Sequence, residues 1–274
     1  MKNINITNLE TKCNYLRKVV LELCYLKGGH ISSSYSCVEI LAAIYYTGFL
    51  NVNLKNLNKN NRDTFVLSKG HAAEMLYVIL SDLGFFPKKW FKTSYRDNDC
   101  KLGGHVNYKI PGIELSTGSL GHGLSFVAGT ALASKIDGYN NKHLALLGDA
   151  ECTAGSVWEA ASFISYEKLN NVIAIVDFNK IGNSEFLSEF LEISTLKKKW
   201  KSYGWDVFVI DDGNDIRNVI KTLKSLKQSK KKPKVIIAHT IKGKGVKTIE
   251  NDPIWATRPV SKEVYLKAKK ELRK

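Results

Sequence analysis

Gly148-Asp149-Ala150-Glu151 closes one apolar run of the sequence, and Asn179-Lys180-Ile181 follows the next. The carboxylate of Asp149, the carboxamide of Asn179 and the backbone carbonyl of Ile181 make a set of hard oxygen donors. Mg2+ wants six oxygens in an octahedron and commonly takes only part of its shell from protein. Three donors from the chain, two diphosphate oxygens and one water would fill such a shell. Gly148 permits a tight turn, and the N–H groups near residues 150–156, where a helix opens, can face a phosphate. Taken alone, a Gly-Asp pair after a strand is an ordinary helix N-cap. Four of the six histidines follow a glycine, and three of them stand outside the Gly121-His122-Gly123 loop: Gly29-His30, Gly70-His71 and Gly104-His105. Imidazole can give and take protons near neutrality, which makes them candidates for proton transfer. His143 opens a strand, and His122 lies in a Gly-His-Gly loop that reads equally as a plain loop or as a ligand contact.

The segments that must position these groups alternate in character. Residues 9–27 carry apolar residues at helical spacing (Leu9, Leu16, Val19, Val20, Leu23) and stop at Gly28-Gly29. Residues 36–48 read as a second, largely buried helix. A strand-like run at 64–68 leads through a glycine turn into a helix over 72–83. Apolar runs at 143–147, 172–176, 207–210 and 235–238 alternate with helical segments at 155–169 and near 213–227. Short apolar strands separated by helices predict an α/β fold, a parallel β-sheet with helices on both faces. Ligands of such sheets gather at the carboxyl ends of strands. Those ends carry Ser68-Lys69-Gly70-His71, Gly148-Asp149, Asp177-Phe178-Asn179 and His239-Thr240. No repeat or linker divides the sequence, so residues 1–274 read as a single domain.

Composition excludes several classes. With 44% hydrophobic and 24% charged residues, the 274-residue chain is ordinary for a globular protein. No apolar stretch approaches the ~20 residues needed to cross a bilayer, and the first residues lack a secretory segment. A cytoplasmic protein without membrane association is expected. Five scattered cysteines without a CxxC pair fit reduced, mostly buried thiols. The net charge of +15 reads as a solvated basic surface that could attract phosphorylated substrates. Its lysines lack the interleaved aromatics of a nucleic-acid groove, so no nucleic-acid partner is expected.

The order strand, Gly-Asp, helix with Gly155-Ser156-Val157-Trp158-Glu159-Ala160, strand, Asp177-Phe178-Asn179-Lys180-Ile181 resembles the signature of thiamine-diphosphate enzymes. In its wording the chain is similar to transketolases. Gly29-His30, the run 65–71, Gly103-Gly104-His105, the run 111–121 and His239-Thr240-Ile241-Lys242-Gly243-Lys244-Gly245 follow in the family's order. The resemblance implies a pyrophosphate-binding domain that holds thiamine diphosphate through Mg2+, with Ca2+ or Mn2+ as substitutes. By position it implies metal ligands at Asp149, Asn179 and Ile181. It implies cofactor contacts at His71, Gly118, Leu120, Gly121, Gly148, Ala150, Glu151 and His239, besides Asp149 and Asn179, with the Leu120 backbone against the aminopyrimidine ring. His30 and His105 match histidines that line the substrate channel, hydrogen-bond the sugar and move protons.

In the family the glutamate that activates the pyrimidine belongs to a second domain, downstream of the part matched here. The sequence therefore resembles the N-terminal half of a transketolase in two pieces. Its implied partner in a heterotetramer is a separate C-terminal chain, the pyrimidine-binding subunit. The expected reaction moves a two-carbon ketol unit from a ketose to an aldose, as free sugars or sugar phosphates. Ala150, Ala154, Ala256 and the Gly182-Asn183-Ser184 run depart from the family pattern on the substrate side. They leave open another thiamine reaction, such as 2-oxo-acid decarboxylation or deoxyxylulose-phosphate-type synthesis, or a non-catalytic cofactor-binding role.

Overall fold

A computed structural model describes residues 5–98, 100–182, 185–187, 192–229 and 231–273. The apolar runs form strands β1 (Thr64–Leu67), β2 (His143–Gly148) and β3 (Val172–Phe178). A hairpin of β4 (Ile181–Gly182) and β5 (Glu185–Phe186) follows, then β6 (Asp206–Ile210) and β7 (Lys234–His239). Five of them make one sheet in the order β1-β2-β3-β7-β6. Every pairing in it is parallel. β3 is buried along its whole length, because its seven residues are covered from both sides.

Alternate strand residues point to opposite faces. Leu144, Leu146, Ile173, Ile175 and Ile236 pack with helices α1 (Ile6–Lys27), α2 (Ile31–Ser36), α3 (Val38–Tyr46) and α4 (Ala73–Asp82). The short α5 (Trp90–Thr93) rests its Trp90 and Phe91 on the same cluster. Ala145, Leu147, Ala174, Val176 and Ile237 face α6 (Gly123–Ile136), α7 (Gly155–Tyr166) and α8 (Ile193–Ser202). α9 (Ile216–Ser225) and α10 (Lys262–Glu271) complete the first face. The expected α/β architecture, helices on both faces of a parallel sheet, is what the chain adopts.

The helix expected over 36–48 is α3, and an unanticipated short helix, α2, precedes it with a break at Cys37. The serines before the break bond to distant elements: Ser32 to the Trp255 carbonyl, Ser34 to Glu74 and Ser36 to Asp177. The five cysteines are unpaired, and all but Cys100 are buried. Among the described residues no helix is long and apolar enough to cross a membrane.

Candidate functional site

The carboxyl ends of β2 and β3 lie side by side, with Gly148 paired to Asp177. Asp149 is 2% exposed and caps a short turn over Ala150–Thr153. Its Oδ1 accepts the Ala150 N–H at 2.8 Å and its Oδ2 the Lys180 N–H at 2.5 Å. The cap therefore leaves lone pairs on both oxygens, and cap and ligand are compatible roles. Lys180 has φ 64°, a left-handed turn that brings its N–H to Asp149. Asn179 donates through Nδ2 to Asp177 Oδ2 at 3.3 Å and accepts the Ile181 N–H on Oδ1 at 3.1 Å. The first bond fixes which end of the carboxamide carries the oxygen donor. The Ile181 carbonyl accepts from Lys242 Nζ at 3.2 Å.

Burial, with the Asp177 charge beside it, pushes the Asp149 carboxyl up to about 6, against the pull of the Lys180 and Ala150 N–H bonds and of Lys69. A cation at this oxygen would reverse that shift. Among the described residues no group of three or more His, Cys, Asp or Glu could hold a metal. The donors here are one carboxylate, one carboxamide and one carbonyl. Such a set fits a hard divalent ion that takes its other ligands from a phosphate and water.

Behind these donors is a buried ionic hub. Lys69 and Asp177, 1% and 0% exposed, form an ion pair. Asp177 also accepts from Ser36 Oγ at 2.5 Å and from Thr240 Oγ1. Burial alone would raise the Asp177 carboxyl, but Lys69 and these hydroxyls hold it below its ordinary value. The hub ties the ends of β1, β3 and β7 to α2 at the point where the oxygen donors emerge. Lys242, 4% exposed, is pulled down to about 8 by burial and by Lys69, against Asp149 and Asp177.

Next to the donors opens a cleft of about 240 Å³ lined by His30, Ser33, His71, Leu120, Lys242, Ala256 and Thr257. The His30 ring lies 5.9 Å from that of His71 and 5.5 Å from that of His105, centroid to centroid. Burial first, then the positive potential of neighbours, lowers His71 to about 2 and His30 to about 4. Both imidazoles are neutral at physiological pH and serve as hydrogen-bonding groups. His30 Nδ1 is buried without a protein partner, an atom that a ligand can satisfy.

Backbone shape places these rings. Glu74, fully buried, accepts the His30 N–H at 3.2 Å, Ser34 Oγ at 3.0 Å and Tyr95 OH at 3.1 Å. Gly29 has φ 154°, and a Cβ there would sit 2.5 Å from Glu74 Oε1. A Cβ on Gly118 would press on the His105 ring at 3.4 Å.

Glu151, expected as a cofactor contact, turns its carboxylate to protein donors. It is 1% exposed, its Oε1 accepts from Ser68 Oγ and from the Gly121 N–H at 2.8 Å, and its Oε2 accepts the Gly148 N–H at 3.0 Å. The carboxylate is thus committed to protein donors, joining the loop with Leu120 and Gly121 to the end of β2. Gly121 has φ 91°, and a Cβ on it would meet Ser156 Oγ at 2.5 Å. Leu120 stays 37% exposed at the cleft.

Of the histidines, His30, His71 and His105 come together. His239 packs edge-on against Phe178 at 5.1 Å and is not among the cleft-lining residues. His122 is exposed at the start of α6. His143 bridges Thr64 and Ser134 at the amino end of the sheet, away from the site. Of Gly182-Asn183-Ser184, only Gly182 lies within the described residues. Sequence reasoning missed Lys242, Lys69, Asp177 and Glu74 as parts of the site. The first three lie in strand-end runs that it did single out, whereas Glu74 has no local signal. Three larger hollows, about 400 Å³ beside Arg17, about 450 Å³ beside Lys234 and about 650 Å³ beside Trp158, contain none of the histidines or oxygen donors that mark the cleft.

The chain is thus an α/β protein whose buried Asp149, Asn179 and Ile181 oxygens lie at adjacent strand ends beside a histidine-lined cleft. Residues 10–270 match the family model described as "Transketolase, thiamine diphosphate binding domain". The chain belongs to the transketolase family. It is 42% identical to one subunit of the apulose-4-phosphate transketolase of Actinobacillus succinogenes over 96% of both chains. It is 34% identical to the 6-deoxy-6-sulfo-D-fructose transketolase subunit SqwG of a Clostridium species over 97% of both. The transketolase structure from Campylobacter jejuni superposes with a TM-score of 0.90 at 30% identity, covering 98% of this chain and 43% of that one. The chain therefore spans less than half the length of that transketolase, but nearly the whole of the two subunits.

Proposed function

We propose that this chain is the thiamine-diphosphate- and Mg2+-holding subunit of a two-subunit transketolase. The observation that carries the reading is the oxygen set of Asp149, Asn179 and Ile181 beside three clustered histidines. It occurs in a chain similar over nearly its full length to relatives that are themselves named as single subunits of transketolases. Asp149, Asn179 Oδ1 and the Ile181 carbonyl hold the cation, with Ca2+ or Mn2+ as substitutes. His71 and the backbone at Gly118, Gly121, Gly148 and Ala150 face the diphosphate, Leu120 lies against the aminopyrimidine, and Glu151 holds that loop in place. Bound thiamine diphosphate supplies the carbanion stabilisation that lets a ketose give up two carbons to an aldehyde. His30 and His105, as hydrogen-bonding imidazoles, orient the sugar hydroxyls and move their protons. The partner is a pyrimidine-binding chain, and the substrates are modified sugars or sugar phosphates of the kind for which the relatives are named.

The test is reconstitution. The purified chain alone is expected to transfer no ketol unit. With a pyrimidine-binding chain, thiamine diphosphate and Mg2+, transfer should appear and be lost on Asp149→Ala. Transfer by the chain alone, or full activity in Asp149→Ala, would refute the proposal.

A further inference from the structure

Lys242 was not anticipated as part of the cation corner, yet its Nζ lies 3.2 Å from the Ile181 carbonyl, the third oxygen of the proposed donor set. Its location is fixed by a rigid turn after β7. The Gly243 N–H donates to the Ser32 carbonyl at 2.9 Å, and the Lys242 carbonyl accepts the Asn251 N–H at 2.8 Å. Gly243 has φ 82°, and a Cβ there would lie 2.5 Å from the Ile249 carbonyl oxygen. One residue further on, Arg17 Nε donates to the Lys244 carbonyl at 2.8 Å. The ammonium is thus delivered to the donor set by an anchored backbone.

The charges acting on Lys242 are Lys69, Asp149 and Asp177. All four groups are buried. Among these four, two carboxylates and two ammonium groups balance, and the third buried carboxylate nearby, Glu151, is taken up by Ser68 and the Gly121 and Gly148 N–H groups. A divalent cation entering alone would bring more positive charge than the site compensates, next to an ammonium held on one of its own ligands. Repulsion between buried like charges is screened far less than at a surface. A diphosphate changes both terms, because it supplies negative charge and gives the ammonium another acceptor.

We infer that Lys242 is a resident counter-charge that makes uptake of the divalent cation conditional on the diphosphate. This rests on the reading of Asp149, Asn179 and Ile181 as cation ligands. Because such coupling is reciprocal, Lys242 also sets how far the cation tightens cofactor binding.

The test uses the full chain and Mn2+, whose binding is followed by electron paramagnetic resonance without and with saturating thiamine diphosphate. In wild type, Mn2+ alone should bind weakly and thiamine diphosphate should tighten it strongly. In Lys242→Met, Mn2+ alone should bind about tenfold tighter, equivalent to about 1.4 kcal/mol, and the gain from thiamine diphosphate should shrink. Lys242→Gln, which keeps a donor without the charge, should move the same way, and it serves if the Met variant does not fold. If neither variant binds Mn2+ alone more tightly than wild type, the inference is overturned. Asp149→Ala separates the two levels of the argument. If it still binds Mn2+ with thiamine diphosphate as wild type does, the ligand assignment falls and this inference with it. If it does not, while the Lys242 variants bind Mn2+ alone like wild type, only the role of Lys242 falls.

Discussion

Asp149 holds its place in the site against its own solvation, and Asp149→Asn should make that visible as a pH-dependent stability. In the cofactor-free chain, burial and Asp177 raise its carboxyl from 3.8 to about 6. Between these values the folded chain keeps a proton that the unfolded chain has lost, so stability falls as pH rises through the window. The window is roughly two pH units wide, and at about 1.4 kcal/mol for each the loss is about 3 kcal/mol. Asn cannot ionise and escapes it. It also turns an amide against one of the two N–H groups, of Ala150 or Lys180, that the carboxylate accepts. That costs about 1–3 kcal/mol at any pH. The variant should therefore be the less stable protein near pH 4, gain on wild type by about 3 kcal/mol up to pH 6, and end level with it or above it near pH 7. The assay is urea unfolding of both proteins with EDTA, followed by tryptophan fluorescence across this range. Taking the difference between the two proteins cancels the other titrating groups. Mg2+ with thiamine diphosphate at about a hundred times Kd should then stabilise wild type alone, by about 2.7 kcal/mol. A stability difference that stays constant with pH to within about 0.5 kcal/mol would refute the reasoning.

Glu151→Gln sets an amide group against the Gly121 or Gly148 N–H, so unfolding stability should fall by about 2 kcal/mol, with weaker thiamine diphosphate binding in calorimetry. Asp177→Asn leaves Lys69 buried without its anion and should cost about 3–5 kcal/mol in denaturant unfolding, much of which Lys69→Met in the same chain should restore.

The legible parts of the fold were those whose signal is local. β2, β3 and β7 are uninterrupted apolar runs ending in polar residues, and a strand covered on both faces can hardly be written otherwise. α6 was illegible for the opposite reason. Gly123, Gly129 and Thr130 are poor helix formers, and the segment is a helix because Leu124, Val127 and Ala131 pack beneath the sheet with α7. The break at Cys37 was hidden too, because Ser32, Ser34 and Ser36 have their partners at Trp255, Glu74 and Asp177. Bonds of that sequence separation leave no periodicity to read.

The site divides along the same line. Asp149, Asn179 and Ile181 could be singled out as candidate oxygen donors because their positions at adjacent strand ends are local to the sequence. The Gly-His pairs mark His30, His71 and His105, but equally the exposed His122. What sequence order does not reveal is which polar group faces inward to the protein and which faces the ligand. Glu151 stands two residues beyond Asp149 and is as acidic, yet its oxygens accept from Ser68, Gly121 and Gly148, so it shapes the site without facing it. Lys242 shows the reverse, since its run after β7 can be singled out but nothing in the sequence says that this lysine turns inward. The turn at Gly243 carries it inward, and its ammonium ends on the carbonyl of Ile181. Both assignments depend on the buried charge balance around Asp149 and Asp177, a property of the assembled strand ends that no single segment contains. Substitutions that change this balance while keeping the side-chain shape, such as Asp149→Asn and Lys242→Gln, therefore probe the site more sharply than truncations to alanine.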